Sequence, residues 1–326
     1  MKLESNSLEE VETHRVNHGV LDLHFSPHRQ NVFCTANSTS SLSLYTLDQT
    51  SQDSNAIIKE MCTIKPPDED CLVLAIAWNP NNPSMLGATL SNGNVIILMG
   101  MDGLPQSEPD IVVSCVSTHD LEAWTLNFSP NPHILFSGGD DCVIYAQKII
   151  PNQVPDPSQR ITSEEIWKNR KTHTAGVTAI LPLSESYMVT GSYDDHIRLL
   201  HISSASSGAI RPKVLAETNL GGGVWRLKLL RGAPIGWQDK KMSAEFLILA
   251  SCMHAGSRIL SLSCDEYMAN WKFEILAKFE EHKSMNYGSD ALLNGNEIRV
   301  VSTSFYDKLV CLWSFTLEAK HVGQDI

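Results

Sequence analysis

A chain of 326 residues, 42% apolar and 19% charged, holds enough hydrophobic material for one large core or two ordinary ones, and its composition argues against extensive disorder. Its 25 basic and 37 acidic residues leave a formal charge of −12, which repels phosphate, so a direct nucleic-acid partner or an acidic membrane surface is disfavoured and a basic partner fits better. No apolar run approaches the length of a bilayer span, so membrane insertion is not expected.

The N-terminal stretch MKLESNSLEEVETHRV has acidic residues and no apolar core, unlike a secretory signal or a basic transit peptide, which points to the cytoplasm. Eight cysteines, at 34, 62, 71, 115, 142, 252, 264 and 311, include no CxxC pair. They read as reduced thiols within apolar strands, with no metal and no cofactor implied.

From residue 18 onward the chain repeats. Six units begin near His18, Asp70, His119, His173, Leu220 and Glu281, spaced as blade-type repeats are. Each opens on a short alternating strand: HGVLDLHFSP, DCLVLAIAWNP, HDLEAWTLNFSP, HTAGVTAILP, GGGVWRLKLL. A Pro or turn follows, then a second strand such as HILFSGG or SYMVTGS, then a tight turn and a third strand. That turn recurs as GGDDCVIYAQ at 138–147, GSYDDHIRLL at 191–200 and SFYDKLVCLW at 304–313. The polar or Pro-rich segments 48–69, 100–118 and 150–170 are expected to hold outer strands and exposed connections, and 231–245 a loop inside the fifth unit. The leading segment 1–17 or the tail 316–326 could supply a closing strand, but neither holds a further blade.

In four units a His opens the first strand (His18, His119, His173, His282), and in three an Asp follows 21–25 residues later (Asp141, Asp194, Asp307). This resembles the WD-repeat propeller, in which such a His and Asp join a Ser/Thr and a strand Trp, here Trp313, in a network that stitches each blade. The resemblance implies a single all-β propeller over 1–326, of six or seven blades. His119 with Asp141, His173 with Asp194 and His282 with Asp307 then read as structural pairs that satisfy each other's polar atoms.

Residues that serve only the blade recur, and residues that serve a site need not. Four stretches break the repeat: LEAW at 121–124, GGGVWR at 221–226, SCMHAG at 251–256, and NYGSD at 286–290 with SFYD at 304–307. All fall in connections on one propeller face. Together with SGGDD and TGSYDDHIR, and in this order over about 119–313, they resemble the WD-repeat diphthine methyl ester hydrolases of the eukaryotic diphthamide pathway. That family's YGxDW departs here to Tyr287-Gly288-Ser289-Asp290-Ala291, and the first two units match only the general repeat.

The resemblance implies removal of the methyl ester from methylated diphthine, a modified histidine on translation elongation factor 2, with that factor as protein substrate. The substrate offers a trimethylammonium beside a methyl ester. No G-x-S-x-G elbow, HExxH or paired-Cys motif occurs, so water activated by a general base is the expected route. His254 stands in the column occupied elsewhere by Asp141, Asp194 and Asp307, and reads either as that base or as a substitute for the blade Asp. Asp290 is the alternative base, the group that orients His254, or a solvated turn residue. Arg226 would polarise the ester carbonyl or pair with the product carboxylate, unless it serves a surface ion pair. Trp124, Trp225, Tyr287 and Tyr306 could face the quaternary ammonium or simply pack at the channel mouth. Glu122 could add charge attraction or be solvated. The triple glycine 221–223 permits close approach of backbone to a substrate or to a neighbouring blade. The competing class is a non-catalytic WD-repeat scaffold for protein–protein interaction.

Overall fold

In a computed structural model the described residues, 7–49, 56–67, 70–103, 111–150, 161–204, 210–232, 245–265 and 270–318, form six antiparallel sheets arranged as a six-bladed β-propeller. The innermost strands are Val20–Phe25, Val73–Trp78, Ala123–Phe128, Val177–Pro182, Arg226–Arg231 and Asn286–Asn294. Five blades have four strands and the sixth has three, ending with Glu297–Ser304 and Leu309–Thr316. Three of the polar segments do carry outer strands, at Ala56–Ile64, Val112–Thr118 and Thr162–Asn169. Most of the insert at 231–245 lies outside the described residues.

Alternation along the strands puts apolar side chains on both faces of each sheet, so the core lies between blades and not within a single layer. Leu42 and Leu44 of blade one pack with Ile76 and Leu86 of blade two, and Ala75 and Ile97 with Leu126 and Phe128 of blade three. Further round, Phe136 and Ile144 meet Ile180 and Met188, Val189 and Leu199 meet Ile248 and Leu260, and Leu249 and Ile259 meet Ile298 and Val300. Each such buried Leu, Ile, Val, Phe or Met side chain contributes about 1.5–3 kcal/mol.

The sixth seam differs. Among the described residues no packing comparable to the other five joins blade six to blade one. Phe25 is 47% and Val20 46% exposed on one side, and Val310 is 60% exposed on the other, whereas the innermost strands of blades two to four and the third strands of blades two, three and five are largely buried. Residues 7–17, one of the two segments considered for a closing strand, form none, and 319–326 of the other lie outside the described residues.

The tight turn is built the same way in five blades. One residue adopts a left-handed backbone between the second and third strands: Ser40, Gly93, Cys142, Asp195 and Lys308. Blade five instead has Met253 and Gly256 at positive φ, and Met253 forms a bridge to Asn286 of blade six. Its turn therefore points its side chains differently, which bears on His254 below.

Candidate functional site on the connection face

The blade-stitching residues come together in two units. In blade three, His119 Nε2 lies 2.9 Å from Ser137 Oγ and Nδ1 lies 3.0 Å from Asp141 Oδ1, while Asp141 accepts from the backbone N–H groups of Asp120 and Val143. In blade four, His173 bridges Thr190 Oγ1 at 2.9 Å and Asp194 Oδ2 at 3.1 Å, and Arg198 Nη1 donates to the same carboxylate oxygen at 2.7 Å. Burial pulls His173 below the ordinary imidazole value, against the upward pull of Asp194. Asp194 is held below the usual carboxylate range: burial alone would raise it, but His173, the Thr174 N–H and Arg198 outweigh that.

Blade six corrects the third pair. His282 Nε2 contacts Ser302 Oγ at 2.8 Å, and Trp313 Nε1 donates to the same hydroxyl at 3.3 Å, but His282 Nδ1 is buried with no hydrogen-bond partner. Asp307 instead receives the Lys283 N–H and the Ser304 hydroxyl. With its oxygens taken by these two groups, the Asp307 carboxylate makes no hydrogen bond to the imidazole.

The repeat-breaking aromatic residues do converge. The Trp124 and Trp225 ring centroids lie 5.5 Å apart, and Tyr193 stands 6.1 Å from the first and 5.9 Å from the second. Tyr287 continues the row at 5.1 Å from Trp225, followed by Phe305 at 6.1 Å. Rings from blades three, four, five and six thus form one arc. Tyr306 is only its outer end, 71% exposed and touching Phe305. Acid flanks the arc: Asp140 accepts from Trp124 Nε1 at 3.0 Å, and the half-buried Glu122 presents its carbonyl to the Asp140 N–H. Burial first, then Asp140, pushes the Tyr193 hydroxyl well above its ordinary value, with Glu122 adding to the shift. A cation placed against these faces would meet π density and carboxylate charge together.

Next to the arc sits a charged cluster. The Arg226 guanidinium lies 4.9 Å from the Trp225 ring centroid, with Nη1 donating to the carbonyls of Trp225 and Thr178. Its Nε is 3.8 Å from Asp22 Oδ1, and Nη2 is buried with no hydrogen-bond partner. Asp22 also accepts from the Ile76 N–H at 3.0 Å and contacts His24 Nε2 at 3.3 Å. Burial alone would raise Asp22, yet His24 and Arg226 hold it below the usual carboxylate range. Conversely, partial desolvation would lower His24, whose side chain is still 48% exposed, and the Asp22 carboxylate lifts it above the ordinary imidazole value.

Asp22 and His24 are candidate site residues that reading the repeats passed over. Their signal was present, because two ionisable residues alternate in an innermost strand where blade two has Ala75, Ile76 and Ala77. Tyr193 was also passed over, hidden inside a turn read as purely structural.

The two expected bases, His254 and Asp290, are not brought together. Asp290 is ion-paired with Lys228 and exposed. His254 is exposed and lines a cleft with Asn219, Arg258 and Lys278, in which none of the arc's rings takes part. The altered blade-five turn accounts for this placement. The triple glycine also finds its physical reason: a Cβ on Gly222 would stand 2.5 Å from the Cys252 carbonyl oxygen and one on Gly223 would stand 2.7 Å from Met253 Sδ. These two positions serve close approach to the neighbouring turn. None of the eight cysteines is joined in a disulfide, and burial pushes Cys252 up to about 12. Among the described residues no three His, Cys, Asp or Glu side chains are grouped as a metal site.

The fold and the stitched blades define a WD-repeat β-propeller. The family model for the WD domain, G-beta repeat, matches residues 111–145. A solved structure titled Crystal Structure of Mitotic Checkpoint Complex shares this fold, with a TM-score of 0.59 at 14% identity over 95% of this chain and 78% of that one.

Within that class, the chain belongs to the diphthine methyltransferase family. It is 30% identical to the Schizosaccharomyces pombe protein named Diphthine methyltransferase, over 90% of this chain and 78% of the relative. The Saccharomyces cerevisiae protein of the same name is 27% identical over 90% of this chain and 82% of its own length. A Dictyostelium discoideum protein named Diphthine methyltransferase homolog is 26% identical over 93% of this chain and 78% of its own.

Proposed function

We propose that this chain hydrolyses the methyl ester of methylated diphthine on translation elongation factor 2, giving diphthine and methanol. The observation that carries the reading is the contact between the aromatic arc and Arg226, whose buried Nη2 is left without a partner beside Trp225. One side of that contact suits a trimethylammonium, and the other offers a donor to the neighbouring ester.

The quaternary ammonium rests against Trp124, Tyr193 and Trp225, an attraction worth about 0.5–2 kcal/mol, with Asp140 and Glu122 supplying negative charge. The ester carbonyl oxygen points at Arg226 Nη2. His24 donates through Nε2 to Asp22, which leaves Nδ1 to take a proton from water. The hydroxide adds to the carbonyl carbon, and Arg226 stabilises the oxyanion that forms. Collapse breaks the C–O bond to the methoxy group, which leaves as methanol after recovering the proton from His24. Asp22 fixes the imidazole and stabilises its charged form, the part an orienting carboxylate plays in other hydrolytic sites. His24 replaces His254 as the proposed base because it shares a contact network with Arg226.

The relatives' name speaks of methyl transfer, and the proposed reaction moves the methyl off its substrate as methanol. Purified chain incubated with elongation factor 2 carrying methylated diphthine should release methanol stoichiometrically with loss of the ester mass. Binding without methanol release would instead favour the interaction-platform reading that the fold alone allows.

A further inference from the structure

Blade four shows what an arginine at one place in a blade holds. Arg198, opposite Thr190 in the sheet, donates to two carboxylates: Nη1 to Asp194 at 2.7 Å and Nε to Glu217 at 2.9 Å. In blade five Arg258 stands at the same register, opposite Ala250. It reaches one acid, with Nη2 donating to Glu280 Oε1 at 2.6 Å, while Lys278 stands opposite it where blade four has Glu217. Nη1 is used by the carbonyls of Ala255 and Ser257, but Nε is buried and has no partner. The missing acid is the one His254 replaces. Leu220 and Ala250 likewise take the places of His173 and Thr190, so nothing of the stitching network remains in this blade.

The vacated place is not filled by packing. A cleft of about 500 Å³ opens there, lined by Gly221, His254, Ala255, Arg258, Ile275 and Lys278 among others. The Arg258 side chain is only 3% exposed and Lys278 makes no ion pair among the described residues. Gly221 adopts φ 84°, and a Cβ there would lie 3.9 Å from Arg258 Nη2, so the backbone at this rim of the cleft stands close over the buried guanidinium. Two fixed cations against the single Glu280 carboxylate give the cleft a net positive charge.

We infer that this cleft binds a carboxylate from an acidic side chain of a partner protein, the group that Asp194 supplies internally in blade four. A desolvated guanidinium gains most from a charged acceptor, because charge-assisted hydrogen bonds exceed neutral ones about twofold. The inference is independent of the ester-hydrolysis reading, since no ring of the arc and none of Asp22, His24 and Arg226 lines the cleft.

The test uses the full chain with Ala and Ile methyls labelled for NMR, titrated with N-acetyl-Gly-Glu-Gly-amide, its Gln analogue and inorganic phosphate. The Glu peptide should shift the Ala255 and Ile275 methyls saturably, and the Gln peptide should bind at least tenfold more weakly. His254→Asp places the missing acid inside the cleft, so it should raise the melting temperature and weaken the Glu peptide at least tenfold. Lys278→Gln, an exposed change that leaves the fold intact, should weaken it severalfold. Equal binding of the Glu and Gln peptides, parental affinity in both variants, tighter binding of phosphate than of the Glu peptide, or no saturable shift with the Glu peptide would each overturn the assignment.

Discussion

Arg226 Nε stands 3.8 Å from Asp22 Oδ1, joining the innermost strand of blade five to that of blade one through the middle of the propeller. The same guanidinium stacks on Trp225, so a single side chain couples the cation-binding arc to the Asp22–His24 pair. Arg226→Gln should therefore reduce kcat about 10²–10³-fold, the usual effect of removing one oxyanion donor, with a smaller change in KM. Steady-state methanol release by a variant with a parental circular-dichroism spectrum checks this. A loss confined to KM would reassign Arg226 to ground-state binding.

His24→Gln should lower kcat about 10²–10⁴-fold, as loss of a general base does. The pH profile supplies a separate readout. Asp22 raises the His24 pKa above the ordinary imidazole value, and a base acts only when unprotonated, so kcat should climb with pH through an inflection above that value. In Asp22→Asn the inflection should move down. An unchanged pH profile in that variant would separate His24 from the reaction.

Trp225→Ala should weaken a trimethylated ester substrate more than its uncharged tert-butyl analogue, by about 0.5–2 kcal/mol in the difference. Tyr193→Phe, which keeps the ring, should preserve that preference. Equal losses for both ligands would show packing in place of cation recognition.

Acid should destabilise the protein in two stages. Burial lowers the folded-state pKa of His173 and of His282, so the stability tied to their neutral forms is present above the unfolded value near 6.5 and is lost as pH falls through the lower folded values. Asp141 and Asp194 are also lowered, so their contribution persists above about 3.8 and disappears only at still lower pH. Asp194→Ala should cost about 1–3 kcal/mol at neutral pH by stripping His173 and Arg198 of a buried partner. Asp307→Ala should shift melting much less, because that carboxylate faces solvent and does not hydrogen-bond His282. Melting curves across pH for the parent and both variants decide this.

The sequence by itself determined the blade, because a blade is local: alternation, the tight turn and the His-to-Asp interval all fall within one repeat, where chain spacing fixes distance. That is why the spacing of His119 with Asp141 and of His173 with Asp194, set beside the resemblance to WD repeats, allowed them to be paired, and why the Trp124 and Trp225 columns pointed to one face. Tertiary structure decided what lies between blades. Asp22 and Arg226 meet only because the inner strands of two distant repeats converge on one axis, and no period in the sequence encodes that convergence. Nor did the shared column of His254 and Asp194 fix the same surroundings, since Met253 and Gly256 give blade five a different turn and Leu220 and Ala250 empty its network. Burial then set the chemistry: at the axis Asp22 is charged and held by neighbours, while His282 at an open edge keeps its Ser302 contact and loses its Asp.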